Sequence, residues 1–156
     1  MEWTPQLQVL GEVILAMFLG ALVGLEREAA DKPAGLRTHM LVAGAAALLV
    51  GLTNTIVEKM GSWPNATYLR GDPIRVIEAV VTAVGFLGAG TILRRNEGDR
   101  VQGLTTAASI LLAAAVGISV ALRQFILAVG VTMLALVTLR LIGVVEKRLF
   151  RRTSRS

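Results

Sequence analysis

The chain has 156 residues, 54% of them hydrophobic and only 17% charged, too apolar for a soluble domain of this length with one core and a polar surface. Its 16 Lys and Arg outnumber 11 Asp and Glu for a net charge of +5, but the basic residues flank apolar blocks, so they read as membrane orientation rather than nucleic-acid binding. There is no cysteine, which excludes disulfides, thiol catalysis and thiolate metal sites.

Five apolar blocks follow in chain order. The first runs from about Leu7 to Leu25 with Glu12 as its one charge, and about nineteen residues at a 1.5 Å rise cross a hydrocarbon layer of ~30 Å. The second, about Met40 to Val57, carries no charge, and the third, about Val76 to Leu93, carries only Glu78. The fourth, about Leu104 to Leu122, is uncharged; a turn at Arg123 and Gln124 leads into the fifth, about Phe125 to Val145, which holds Arg140. Asp72-Pro73 reads as an N-cap followed by proline in the first helical turn, which fixes the start of the third helix. The expected fold is an all-α integral membrane protein with five transmembrane helices over residues 1–150, then a basic tail at 151–156 and no soluble carboxyl-terminal domain.

Orientation follows from the basic residues of the connecting segments. Eleven lie on one side, at 27, 32, 37, 94, 95, 100, 147, 148, 151, 152 and 155; four lie on the other, at 59, 70, 75 and 123. The amino terminus is therefore expected outside and the carboxyl terminus in the cytoplasm, with Trp3, Trp63 and Tyr68 near the outer interface.

In lipid, helices associate by close backbone approach at small residues. Ala16, Gly20 and Gly24 follow Glu12 at intervals of four, so this acid is expected to face protein. Glu78 shares a face with Thr82, Gly85 and Ala89, and Thr105, Ser109, Ala113 and Gly117 form a row on the fourth helix. These are packing seams first, but an ionisable group within a span costs at least ~2.5 kcal/mol, so Glu12 and Glu78 are also candidates for a functional role. The run Gly85-Phe86-Leu87-Gly88-Ala89-Gly90 ends a membrane span and lacks the strand-to-helix setting of a nucleotide loop; Gly85, Gly88 and Gly90 are read as close-packing positions.

With this topology four polar segments reach one membrane surface: Gly24 to Glu28, Ala34 to His39, Gly90 to Arg94, and Gly103 to Thr106. Glu26, Arg27, Arg37, Thr38, His39, Thr105 and Thr106 form a candidate ligand-binding or partner-binding patch, with an internal ion-pair lock as the structural alternative. Asp72 and Arg75 face the opposite side with Glu12 and Glu78 as outer acidic candidates. No hydrolytic constellation or phosphate loop is present, so no enzyme is expected. No cofactor is expected either; magnesium is the one ion that Glu26, Glu12, Asp72 or Glu78 could each serve singly.

The succession Gly24-Leu25-Glu26-Arg27-Glu28, Ala34-Gly35-Leu36-Arg37-Thr38-His39-Met40-Leu41-Val42, Asp72-Pro73-Ile74-Arg75, Gly85-Phe86-Leu87-Gly88-Ala89-Gly90-Thr91-Ile92-Leu93 and Gly103-Leu104-Thr105-Thr106-Ala107-Ala108 resembles the MgtC/SapB family. The likeness covers about Leu7 to Leu122. It implies a bacterial inner-membrane protein acting in adaptation to low magnesium and in survival of pathogens inside host cells, by binding and regulating membrane machinery such as ATP synthase. The alternative is a small oligomeric magnesium or proton transporter or channel. The expected partners are the lipid bilayer, further copies of the chain and a membrane enzyme. Relatives usually show glutamine and glycine near Glu78, so the resemblance gives that residue no role.

Overall fold

The computed structural model describes residues 3–61, 72–94 and 101–153; Trp63, Tyr68, Arg70, Arg95, Arg100 and the end of the basic tail at 154–156 lie outside them. Five helices carry the described chain: α1 (Thr4–Ala29), α2 (Leu36–Gly61), α3 (Pro73–Ala89), α4 (Leu104–Ala121) and α5 (Phe125–Thr153). Between α3 and α4, β1 (Leu93–Arg94) and β2 (Val101–Gln102) form a two-residue antiparallel ladder, Leu93 opposite Gln102 and Arg94 opposite Val101.

The helix ends have local causes. Pro5 sits in the first turn of α1, where its missing N–H costs no bond. At the other end the Ala30 amide bonds the Glu26 and Glu28 carbonyls, and the Glu28 carboxylate accepts the Leu36 amide at 2.8 Å, so the last turn of α1 caps the first turn of α2. Asp72 accepts the Ile74 amide at 3.1 Å and starts α3 as its sequence predicts.

The third apolar block differs from expectation at its end. The helix stops at Ala89 rather than running to Leu93, because Gly90 and Thr91 turn the chain and the next residues join the ladder. Glycine at 88 and 90 lowers the helical preference there, and the Thr91 hydroxyl donates to the Gly88 carbonyl at 2.7 Å. The fifth helix likewise runs past the expected Val145 through Thr153, so the basic tail begins as helix.

By length and composition α1, α2 and α4 are long and apolar enough to cross a membrane, while α3 has 17 residues and the apolar described part of α5 is the shorter stretch Phe125–Leu141. The most extensive contact is α1 against α2, with α4 lying across both; α5 packs on α1 and α4, and α3 on α4 and α2. The common core is built from small residues, Ala16, Ala43, Ala47, Ala113 and Ala128, filled out by Val50, Val116 and Val120. A Cβ on Gly20 would stand 2.6 Å from the His39 carbonyl oxygen, and one on Gly117 would collide with the Ala43 carbonyl. Backbones therefore touch where α2 crosses α1 and α4, the geometry that small residues permit in lipid.

Candidate functional site

The contacts fix how the helices run. Gly24 of α1 meets Leu36 at the start of α2, Ser109 near the start of α4 meets His39, and Gly88 near the end of α3 lies 3.3 Å from the Ala107 Cβ by its own would-be Cβ. The end of α1, the start of α2, the end of α3 and the start of α4 thus share one end of the bundle, and the four polar segments converge there. Gly103 completes the junction with φ +94° and so close to the Thr91 carbonyl that no side chain fits.

His39 is the centre of this end and is fully buried. Its Nδ1 lies 2.9 Å from the Gly35 carbonyl oxygen, which can only accept, so Nδ1 carries a hydrogen. Its Nε2 lies 3.0 Å from Ser109 Oγ, and that hydroxyl also lies 2.8 Å from the Thr106 carbonyl. The single serine hydrogen serves one acceptor at a time. With a neutral ring it points at Nε2; with a charged ring Nε2 donates and the hydroxyl turns to Thr106.

One turn beyond the Gly20–Gly24 seam, Arg27 is 4% exposed and forms a two-pronged pair with Glu26, Nε to Oε2 at 2.6 Å and Nη2 to Oε1 at 2.9 Å. Neighbours on a helix point about 100° apart, so both side chains bend along the surface of α1 to meet. The geometry is the lock that the sequence allowed for these two residues, with Arg27 paired to Glu26 and Glu28 engaged on the Leu36 amide instead.

The candidate patch divides into a buried and an exposed part. Glu26, Arg27, His39 and Thr106 are inside or nearly so, Thr38 is half-buried, and Arg37 and Thr105 face outward. Ser109 belongs with the buried group, although its sequence position alone marked it as a packing residue.

The other candidates lie elsewhere. Glu12 is buried, as its small-residue ridge predicts, and its carboxylate takes hydrogen bonds from Gln8 Nε2 at 3.1 Å and Arg123 Nε at 3.3 Å. Arg123, which the sequence marks as a turn residue and as a basic residue of the outer side, is its partner 111 positions away. Asp72 and Arg75 pair at 3.5 Å with both side chains well exposed.

Glu78 differs from the expected seam. It lies with Thr82, Gly85 and Ala89 on an exposed face of α3, and nothing stands within 4 Å of a Cβ at Gly85. The packed face is instead Val76, Val80, Val84 and Gly88, at intervals of four and roughly opposite. Gly88 meets α4, whereas Gly90 meets only carbonyls of its own helix end. Among the described residues no three His, Asp or Glu side chains gather as metal ligands.

The profile of the MgtC family matches residues 13–148. The chain is 40% identical to Protein MgtC of Salmonella typhimurium over 124 residues, 80% of this chain and 48% of the relative. It is 36% identical over 142 residues to an Escherichia coli protein named "Putative magnesium transporter YhiD", covering 90% of this chain and 63% of that one. An uncharacterised Haemophilus influenzae protein is 35% identical over 147 residues, 94% of this chain and 60% of the relative. The chain thus spans about half to two thirds of the length of these relatives. No solved structure matches it. With four of its five signature segments joined at one end of an apolar helical bundle, the chain belongs to the MgtC family.

Proposed function

We propose that the chain is a five-span protein of the bacterial inner membrane, with its amino terminus outside, that acts in adaptation to low magnesium and intracellular survival by binding and regulating other membrane machinery, ATP synthase being one such partner. The observation that carries this reading is that the buried groups of the clustered end satisfy one another. Arg27 is held by Glu26, and His39 by Gly35 and Ser109, so this end forms a stiff platform presenting Arg37 and Thr105 outward. A platform suits a docking partner better than a permeating ion, which needs groups free to exchange their ligands. The excess of basic residues on that side supports its cytoplasmic placement.

A second reading, an oligomeric magnesium or proton transporter, is favoured by the exposed Glu78–Thr82–Gly85 face of α3, which a further copy could cover, and by the name of the Escherichia coli relative. Purified protein in liposomes separates the two. The regulator reading predicts no magnesium or proton flux above empty vesicles, together with recovery of a membrane enzyme from solubilised membranes that Arg37→Ala weakens. Coupled uptake abolished by Glu26→Ala or Arg37→Ala would establish the transporter instead.

A further inference from the structure

At the end of the bundle away from the cluster, the α4–α5 turn lies against α1. Arg123 in that turn has φ +58°, a left-handed backbone that a non-glycine residue rarely adopts, and its side chain reaches Glu12. The acid is 8% exposed and the arginine side chain 60% exposed. Gln8, Gly11, Glu12, Leu15, Arg123 and Phe125 line an open groove of about 350 Å³ around the pair. Gly11 leaves part of it clear, with nothing within 4 Å of where a Cβ would stand.

The pair does not exhaust its own groups. Among the described residues only Nε of the Arg123 guanidinium has a partner, and only Oε1 of the Glu12 carboxylate accepts a hydrogen bond. The surroundings are apolar and outward-facing: Leu10 and Ile14 on α1 and Ile126 on α5 are 52%, 59% and 93% exposed. A polar groove with such a rim, level with a turn between two apolar helices, sits where headgroups meet hydrocarbon.

We infer that this groove binds the headgroup of a zwitterionic phospholipid of the phosphoethanolamine class. The phosphate accepts from the free Nη groups of Arg123, the ammonium donates to Glu12, and the glycerol end lies over Leu15 and Phe125. Three features select this chemistry. One acid and one base give the groove no net charge, which matches a zwitterion better than an anionic lipid. A primary ammonium donates hydrogen bonds that a quaternary choline cannot. Finally, the apolar rim admits a ligand from within the bilayer. The inference rests on α1, α4 and α5 spanning a bilayer and not on any role of the clustered end.

The test is lipid retention. The full chain is reconstituted into nanodiscs of phosphatidylethanolamine, phosphatidylcholine and phosphatidylglycerol in equal parts with matched acyl chains, then released into mild detergent for native mass spectrometry. Phosphatidylethanolamine should be enriched about threefold or more over each competitor on the wild-type protein. Gly11→Leu, which fills the groove without touching its charges, should return the ratio to the input. Glu12→Gln should remove the preference over phosphatidylcholine, and Arg123→Gln should lower retention of all three lipids. Wild-type protein that retains the input mixture, an unselective annulus only, or that prefers phosphatidylglycerol overturns the proposal whatever the variants do. Failure to enter nanodiscs overturns the bilayer reading beneath it, whereas entry without selectivity removes the headgroup site alone.

Discussion

His39 and Ser109, 70 positions apart, meet through a 3.0 Å contact between Nε2 and Oγ, and this contact ties the second polar segment to the first turns of α4 inside the bundle. Both groups are buried, so neither has water as a substitute partner.

Ser109→Ala should therefore leave the ring nitrogen unsatisfied and destabilise the protein by about 1–3 kcal/mol. His39→Ala removes the same bond and leaves a cavity among α1, α2 and α4, so its cost should be larger. A double-mutant cycle read by thermal unfolding in detergent should give a coupling of about 0.6–1.7 kcal/mol, the range for side-chain hydrogen bonds between membrane helices. Additive effects would mean that the two residues do not act together.

Arg27→Ala should cost about 3–5 kcal/mol, because it strands the carboxylate of Glu26 in a site where that side chain is only 10% exposed. Replacing both, Arg27→Met with Glu26→Gln, should restore most of the melting temperature. By contrast Arg75→Ala breaks the exposed pair with Asp72 and should change stability by less than about 1 kcal/mol, as surface ion pairs do. Equal effects at the two sites would contradict the assigned burial.

Glycine positions give an internal comparison. Gly117→Ala places a methyl group against the Ala43 carbonyl, backbone that cannot swing aside, and should cost about 1–3 kcal/mol or prevent accumulation. Gly85→Ala enters open space on α3 and should be neutral or slightly stabilising, by up to about 1 kcal/mol from helix propensity. Yield and melting temperature of the two variants in the same detergent check the pair.

Much of this architecture is legible in the sequence, for physical reasons that also mark its limit. Apolar runs of nearly twenty residues announce α1, α2 and α4, Asp72-Pro73 announces the start of α3, and Arg123-Gln124 the turn before α5. The rotation of α3 is not legible, because valine is apolar whether it faces lipid or protein, and an acid among small residues points to a protein-facing seam. The stripe at Glu78, Thr82 and Gly85 consequently reads as a seam, while the valines opposite make the contact. The end of α3 was hidden for a similar reason, since Ile92 and Leu93 are apolar whether they continue a helix or enter a strand. Partners far apart in the chain, Arg123 for Glu12 and Ser109 for His39, have no local signal at all.

Reactive thiols offer the most direct test, since the chain has no cysteine of its own. Single cysteines at Arg37 and Asp72, both exposed and at opposite ends of the bundle, are treated in intact cells with a membrane-impermeant maleimide. The account predicts labelling of Asp72→Cys in intact cells and of Arg37→Cys only after the inner membrane is permeabilised. Labelling of Arg37→Cys from outside would place the converged segments away from the cytoplasm and contradict their proposed role as a docking platform there.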